Sequence, residues 1–166
     1  MNNQGIMTAM ELASYISYKY KEIFNNPNRK ISPLKLQKSL YFCFAYWGAF
    51  AREGNNTNSS EFSSDFVEYL FDDEIKAWVY GPVVPYVYRN SNKIGECNPS
   101  ELFKDNEYVR EFIDGVLNDV LKASDFNLVR ISHEDKCWIN HFHEDDIEHN
   151  EEIPKEEIIM EYVKQI

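Results

Sequence analysis

Apolar residues recur at helical spacing along most of the chain. Leu12, Ile16, Tyr20 and Ile23 predict a helix from Thr8 to about Phe24. Thr8 and Glu11 make a capping-box pattern at its start, a hydroxyl and a carboxylate three residues apart that can each satisfy a free amide. Asn25-Asn-Pro-Asn28 ends it. Ser32-Pro33 opens a second helix, since Ser caps well and Pro lacks an N–H that the first turn leaves unpaired anyway. Leu36, Leu40, Phe44, Trp47 and Ala51 form the most apolar stripe in the chain, with Gly54 expected as its stop. Residues 55–60 are expected as a polar loop, and 61–69 as a short helix or an irregular segment.

Residues 70–90 break this pattern. Trp78, Tyr80, Tyr86 and Tyr88 crowd around Gly81-Pro82 and Pro85. Gly permits backbone angles that other residues avoid, and Pro restricts its own φ and the residue before it. A sharp turn is therefore expected between an extended or helix-end segment at 75–80 and a new element from Val83, with 84–90 a short helix or irregular. Residues 91–99 are expected as a loop. Asp105 or Asn106 opens a helix to about Lys122, weakened locally by Gly115. Ser124 caps a further helix, and Ser132 repeats a capping signature before 137–142. Residues 1–6 are expected as a loose start, 143–152 as an acidic loop, and 154–166 as a terminal helix opened by Pro154. No repeat or internal boundary is evident. The expected fold is mainly α, a compact single-domain bundle (1–166) of about six to eight helices with a Gly-Pro turn and at most a small β element.

Charge sharpens this picture. The chain of 166 residues has net charge −11, and 11 Tyr and 11 Phe suit large flat contacts. The first 54 residues hold seven Lys/Arg against three Asp/Glu, the rest ten against twenty-five. An acidic surface repels phosphate, which argues against nucleic acid and for a basic protein partner. Three widely spaced cysteines make no disulfide framework. No leader pattern and no apolar run of about 18 residues is seen. The expectation is a cytoplasmic protein without membrane attachment.

Candidate chemistry is sparse. His133, Cys137, His141, His143 and His149 lie close in sequence, but none matches a known zinc spacing. A metal-dependent hydrolase built on His133, His141 and His143 is the weakest reading. The acid runs at 72–74 and 144–146 read as solvated faces. Cys43 sits among apolar residues as an inert thiol. No nucleophile elbow and no phosphate-cradling loop is present. Lys30, Lys35 and Lys38 form the one notable basic patch, read as a solvated face or a surface for an acidic partner. No catalytic residue, metal ligand or cofactor is expected.

Three segments carry a family resemblance. Ile31-Ser-Pro-Leu-Lys-Leu-Gln-Lys-Ser-Leu-Tyr-Phe42 is similar to the first motif of the Panacea domain, also called SocA-like or GepA-like and frequent in prophages. Residues 70–88, with Trp78, Gly81, Pro82 and Pro85, resemble its second motif. Ser132-His-Glu-Asp135 followed by Trp138 resembles its third, with Lys136-Cys137 replacing the usual small residues. The resemblance implies a compact helical domain without known enzymatic activity. It further implies an antitoxin that neutralises a cognate toxin by direct binding, one relative acting as an adaptor that delivers its toxin to a protease. The alternative reading is a phage-encoded inhibitor of a host defence or nucleic-acid-handling protein. The motif residues Pro33, Leu36, Gln37, Lys38, Tyr41, Trp78, Gly81, Pro82, Pro85, His133 and Trp138 are expected to hold the fold, with Trp78 and Trp138 in the core. Tyr80, Tyr86, Tyr88, Arg89 and Lys38 are the expected partner contacts, Tyr and Arg being enriched at binding hot spots.

Overall fold

The computed structural model describes residues 5–57, 68–145 and 150–165. Helix α1 (Ala9–Ile23) starts at the expected capping box, in which Thr8 N donates to Glu11 (2.9 Å) and Glu11 N to Thr8 Oγ1 (3.1 Å). Its stripe of Leu12, Ala13, Tyr15, Ile16 and Tyr20 is buried, and the helix packs chiefly on α2 (Pro33–Thr57). Helix α2 is the axis of the molecule. Its 25 residues span about 37 Å at 1.5 Å per residue, and every residue from Gln37 to Ala45 is buried.

Three further helices lie on that axis. They are α5 (Glu107–Val120), α6 (Asp125–His133) and α8 (Lys155–Val163). Ser124 caps α6 through its bond from Asn127 N. The short helices α3 (Pro85–Arg89), α4 (Pro99–Leu102) and α7 (Lys136–Ile139) make the connections. A small antiparallel sheet completes the fold in the order β2-β1-β3, from β1 (Lys76–Trp78), β2 (Gly81–Val83) and β3 (Glu151–Glu152). The β1–β2 register pairs Lys76 with Val83 and Trp78 with Gly81. Pro82 is tolerated because β2 is an edge strand, where a missing N–H need not face a neighbour. The mainly α fold with a small β element is as expected. Among the described residues no helix is long and apolar enough to cross a membrane.

Four expectations are corrected. Gly54 does not stop α2, which continues to Thr57, since a glycine within a helix costs only about 1 kcal/mol and the turns before it are fixed by packing. Of the expected loose start, residues 1–4 lie outside the described residues, and Gly5 and Ile6 are not loose: Gly5 bridges Tyr69, and the Ile6 amide donates to the Tyr69 carbonyl (2.8 Å), as that of Met7 does to Leu70 (3.1 Å). Glu151 and Glu152 belong to a strand, not a loop, because β1 supplies their backbone partners. Residues 91–99 include a 3₁₀ turn (Ser91–Lys93) and the start of α4. The open assignment at 61–69 falls on residues 61–67, outside the described residues.

Candidate partner-binding face and the polar seam beneath it

The three motifs meet. Gln37, on α2, bonds both backbone groups of Val84, accepting from its N–H at 2.8 Å and donating to its carbonyl at 3.3 Å. A side-chain amide thus completes the outer edge of the segment leaving β2. One residue on, Lys38 is 0% exposed and its ammonium donates to the Pro82 carbonyl at 3.0 Å. Burial pulls its pKa down to about 7, because a low-dielectric site disfavours the charged form. Lys38 is therefore neither part of a surface patch with Lys30 and Lys35 nor a partner contact. Charge alone placed it outside, but its position on α2 directs it under the Gly81-Pro82 turn. Gly81 itself has φ +113°, and a Cβ there would stand 2.8 Å from Lys38 Nζ and 2.7 Å from Ser132 Oγ.

The third motif clamps the same turn from the other side. His133 Nε2 donates to the Val79 carbonyl (3.0 Å), and Trp138 Nε1 to the Trp78 carbonyl (2.9 Å). Their rings stack at 4.2 Å, and Phe142 stacks on the far face of the set at 4.7 Å from Trp138. Burial lowers the His133 pKa, outweighing the raising effect of its bond to Val79. Asp135 is buried and accepts from Tyr41 (2.5 Å) and Tyr162 (2.6 Å), which ties the third motif to α2 and α8. Burial raises the Asp135 pKa despite these two bonds, and it raises both tyrosines as well.

The capping signature at Ser132 does not operate. Ser132 lies inside α6 and donates to the Val129 carbonyl. Helix α7 is capped instead by Glu161 of α8, which accepts from the amides of Lys136 (2.9 Å) and Cys137 (2.8 Å). Asp135, Tyr162 and Glu161 were missed by the sequence reading. Asp135 stood inside the third motif as a signal, whereas nothing local marks a C-terminal helix as the partner.

Above the seam the turn presents aromatic surface. Tyr80, Tyr86 and Tyr88 are 61%, 54% and 53% exposed, and Arg89 is exposed beside them. Trp78 is half-buried rather than core, because it is the last residue of β1 and stands beside the exposed Val79-Tyr80 turn. Its ring meets Tyr88 edge-on (5.3 Å), Arg89 lies 6.0 Å above it, and its Nε1 donates to Asn150 (3.0 Å). Pro33, Leu34, Trp78, Val79 and Tyr88 line an apolar groove of about 630 Å³ there. Trp138, Pro82 and Pro85 are buried, as is Leu36.

Residues 60–139 match the antitoxin SocA-like, Panacea domain. The resemblance read from the motifs is thus found independently over that stretch. The Panacea match takes in the second and third motifs. The first motif lies outside it, yet Gln37, Lys38 and Tyr41 are hydrogen-bonded to both. No curated protein and no solved structure matches the chain.

The histidines are occupied otherwise than the hydrolase reading needs. Both ring nitrogens of His141 meet carboxylates, Glu151 at 2.6 Å and Glu157 at 2.8 Å, and His133 is engaged with Val79 and Trp138. Among the described residues no three His, Cys, Asp or Glu side chains are grouped to hold a metal ion. Cys43 is buried and burial pushes its thiol far up, leaving it inert as expected.

Proposed function

We propose that this chain is an antitoxin-type binding module that neutralises a cognate toxin in the cytoplasm by covering part of its surface. The Panacea match supports the class. The observation that carries the reading is the face of Tyr80, Tyr86, Tyr88 and Arg89, held out from a turn that is bonded from beneath by Lys38, His133 and Trp138. A rigid aromatic surface loses little entropy on binding, and Tyr and Arg are the residues most often found at hot spots. The action asked of it is occlusion, without chemistry, cofactor or metal of its own. The net charge of −11 favours a basic toxin.

Co-expression with the product of the adjacent gene tests the reading: growth arrest should be rescued and a complex should form. No rescue and no complex would end it. Loss of the toxin only in cells with an intact protease would add the adaptor role. A second reading, inhibition of a nucleic-acid-handling defence protein, is favoured by the acidity alone. It requires binding that weakens steeply with salt.

A further inference from the structure

A second apolar surface lies away from the tyrosine face and shares no lining residue with its groove. It is a groove of about 790 Å³ between α2, α5 and α6. Phe42 and Phe50 come from α2, Phe112 and Val116 from α5, Leu128 and Ile131 from α6. Phe50 is 51% and Ile131 39% exposed, so large apolar side chains stand open to water there. Phe50 and Phe112 are packed ring to ring at 4.8 Å, which fixes this wall.

The gap has a sequence cause. Gly115 lies between Phe112 and Val116 on the exposed side of α5, and nothing stands within 4 Å of where its Cβ would be. The glycine neither relieves a clash nor adopts a special backbone angle, so the fold does not require it. Its effect is to leave one side of the groove without a side chain.

The rim is charged in one sense. The charged residues lining the groove, among the described residues, are Glu111 and Asp119, both exposed on α5. Eight residues apart, they stand about 12 Å from each other along the helix. The apolar lining that α5 supplies, Phe112, Val116 and Val120, spans the same length, which matches two turns of a guest helix lying beside α5. Among the described residues no strand edge borders the groove, since its walls are helices. A second copy of this chain would bring a net charge of −11 against these acids, and like charges facing each other disfavour association.

We propose that this groove is a docking site for an amphipathic helix of a partner protein, with an apolar stripe on one face and Lys or Arg residues spaced seven or eight apart along its flank. The site is independent of the toxin-facing reading, and it gives the module two surfaces with which to engage protein.

The test uses the full chain and a fluorescein-labelled, 15-residue amphipathic peptide of Leu and Lys, followed by anisotropy. Controls are the same peptide with Glu for Lys and a scrambled peptide of equal composition. Saturable binding is expected for the Leu/Lys helix alone, weakening as salt is raised. The double variant Glu111→Lys/Asp119→Lys and the groove-filling variant Gly115→Leu should each weaken binding at least ten-fold without lowering the thermal unfolding temperature. Tyr88→Ala should change it less than two-fold. Both groove variants alter exposed positions, so folding does not confound them. The proposal is overturned if the wild type does not bind saturably, if both variants bind within two-fold of wild type, or if the Glu or scrambled peptide binds equally well. It is also overturned if the chain forms a dimer that both groove variants dissociate. Failure of toxin rescue with intact peptide binding would count against the tyrosine face alone.

Discussion

The second motif has two sides that behave in opposite ways. Below, Gly81, Pro82 and Val84 are buried against Lys38, Gln37 and Ser132. Above, Tyr80, Tyr86 and Tyr88 are more than half exposed. Neighbouring residues in one recognisable string thus serve separate ends. Membership in a motif says nothing about whether a residue is needed for folding or for contact. The direction of the side chain decides, and for this turn α2 sets that direction.

Breaking the lower side should have the largest effect. Gly81→Ala combines a positive φ with contacts of 2.7 and 2.8 Å, and should destabilise by about 3 kcal/mol or more in urea unfolding. Asp135→Ala leaves the Tyr41 and Tyr162 hydroxyls buried without their acceptor and should lose about 3 kcal/mol. Either variant with wild-type stability would show that the seam is not what holds the turn.

Lys38 gives the seam a pH signature. In the unfolded chain the amine keeps its proton up to about 10.5, in the folded one to about 7. Between these values the unfolded chain binds more protons, so stability rises with pH, at most by about 1.4 kcal/mol per unit. From about pH 7 to about pH 9 the unfolding free energy of wild type minus Lys38→Met should therefore increase. Using the difference removes the contribution of His141, whose folded pKa is raised because its bonds to Glu157 and Glu151 outweigh burial, and which acts in the opposite sense. It likewise removes that of the buried Cys137 thiol, pushed up to about 12 by burial, which acts in that opposite sense above about pH 9. A flat difference would place the charge of Lys38 in water.

Smaller effects sharpen the contrast between two glycines. Gly115→Ala meets nothing within 4 Å and should stabilise by about 1 kcal/mol through helix propensity, the reverse of Gly81→Ala. Single alanine substitutions at Tyr80 and Tyr86 should shift stability by no more than about 0.5 kcal/mol, as expected for surface positions.

Local signals were legible in the sequence, and distant ones were not. Thr8 and Glu11 announced the start of α1 because both halves of the cap lie within one turn. The break at Gly81-Pro82 was legible for the same reason. Lys38 was misplaced because its charge suggests water, and only the turn 44 residues later explains its burial. Ser132 carried a capping pattern, yet the cap of α7 comes from Glu161, 25 residues downstream of Lys136. Glu151-Glu152 has no strand propensity of its own and is extended because β1 has a free edge. On the candidate face the tyrosines were legible as a cluster, but the half-buried position of Trp78 depends on Asn150 and Tyr88 together.

The central claim is that the tyrosine face binds the toxin while the seam only holds that face in place. The direct measurement is growth rescue and complex formation with the adjacent gene product for the triple variant Tyr80→Ala/Tyr86→Ala/Tyr88→Ala, alongside its thermal unfolding. The account predicts unfolding within a few degrees of wild type, with rescue and complex both lost. Full rescue by the stably folded triple variant would contradict it.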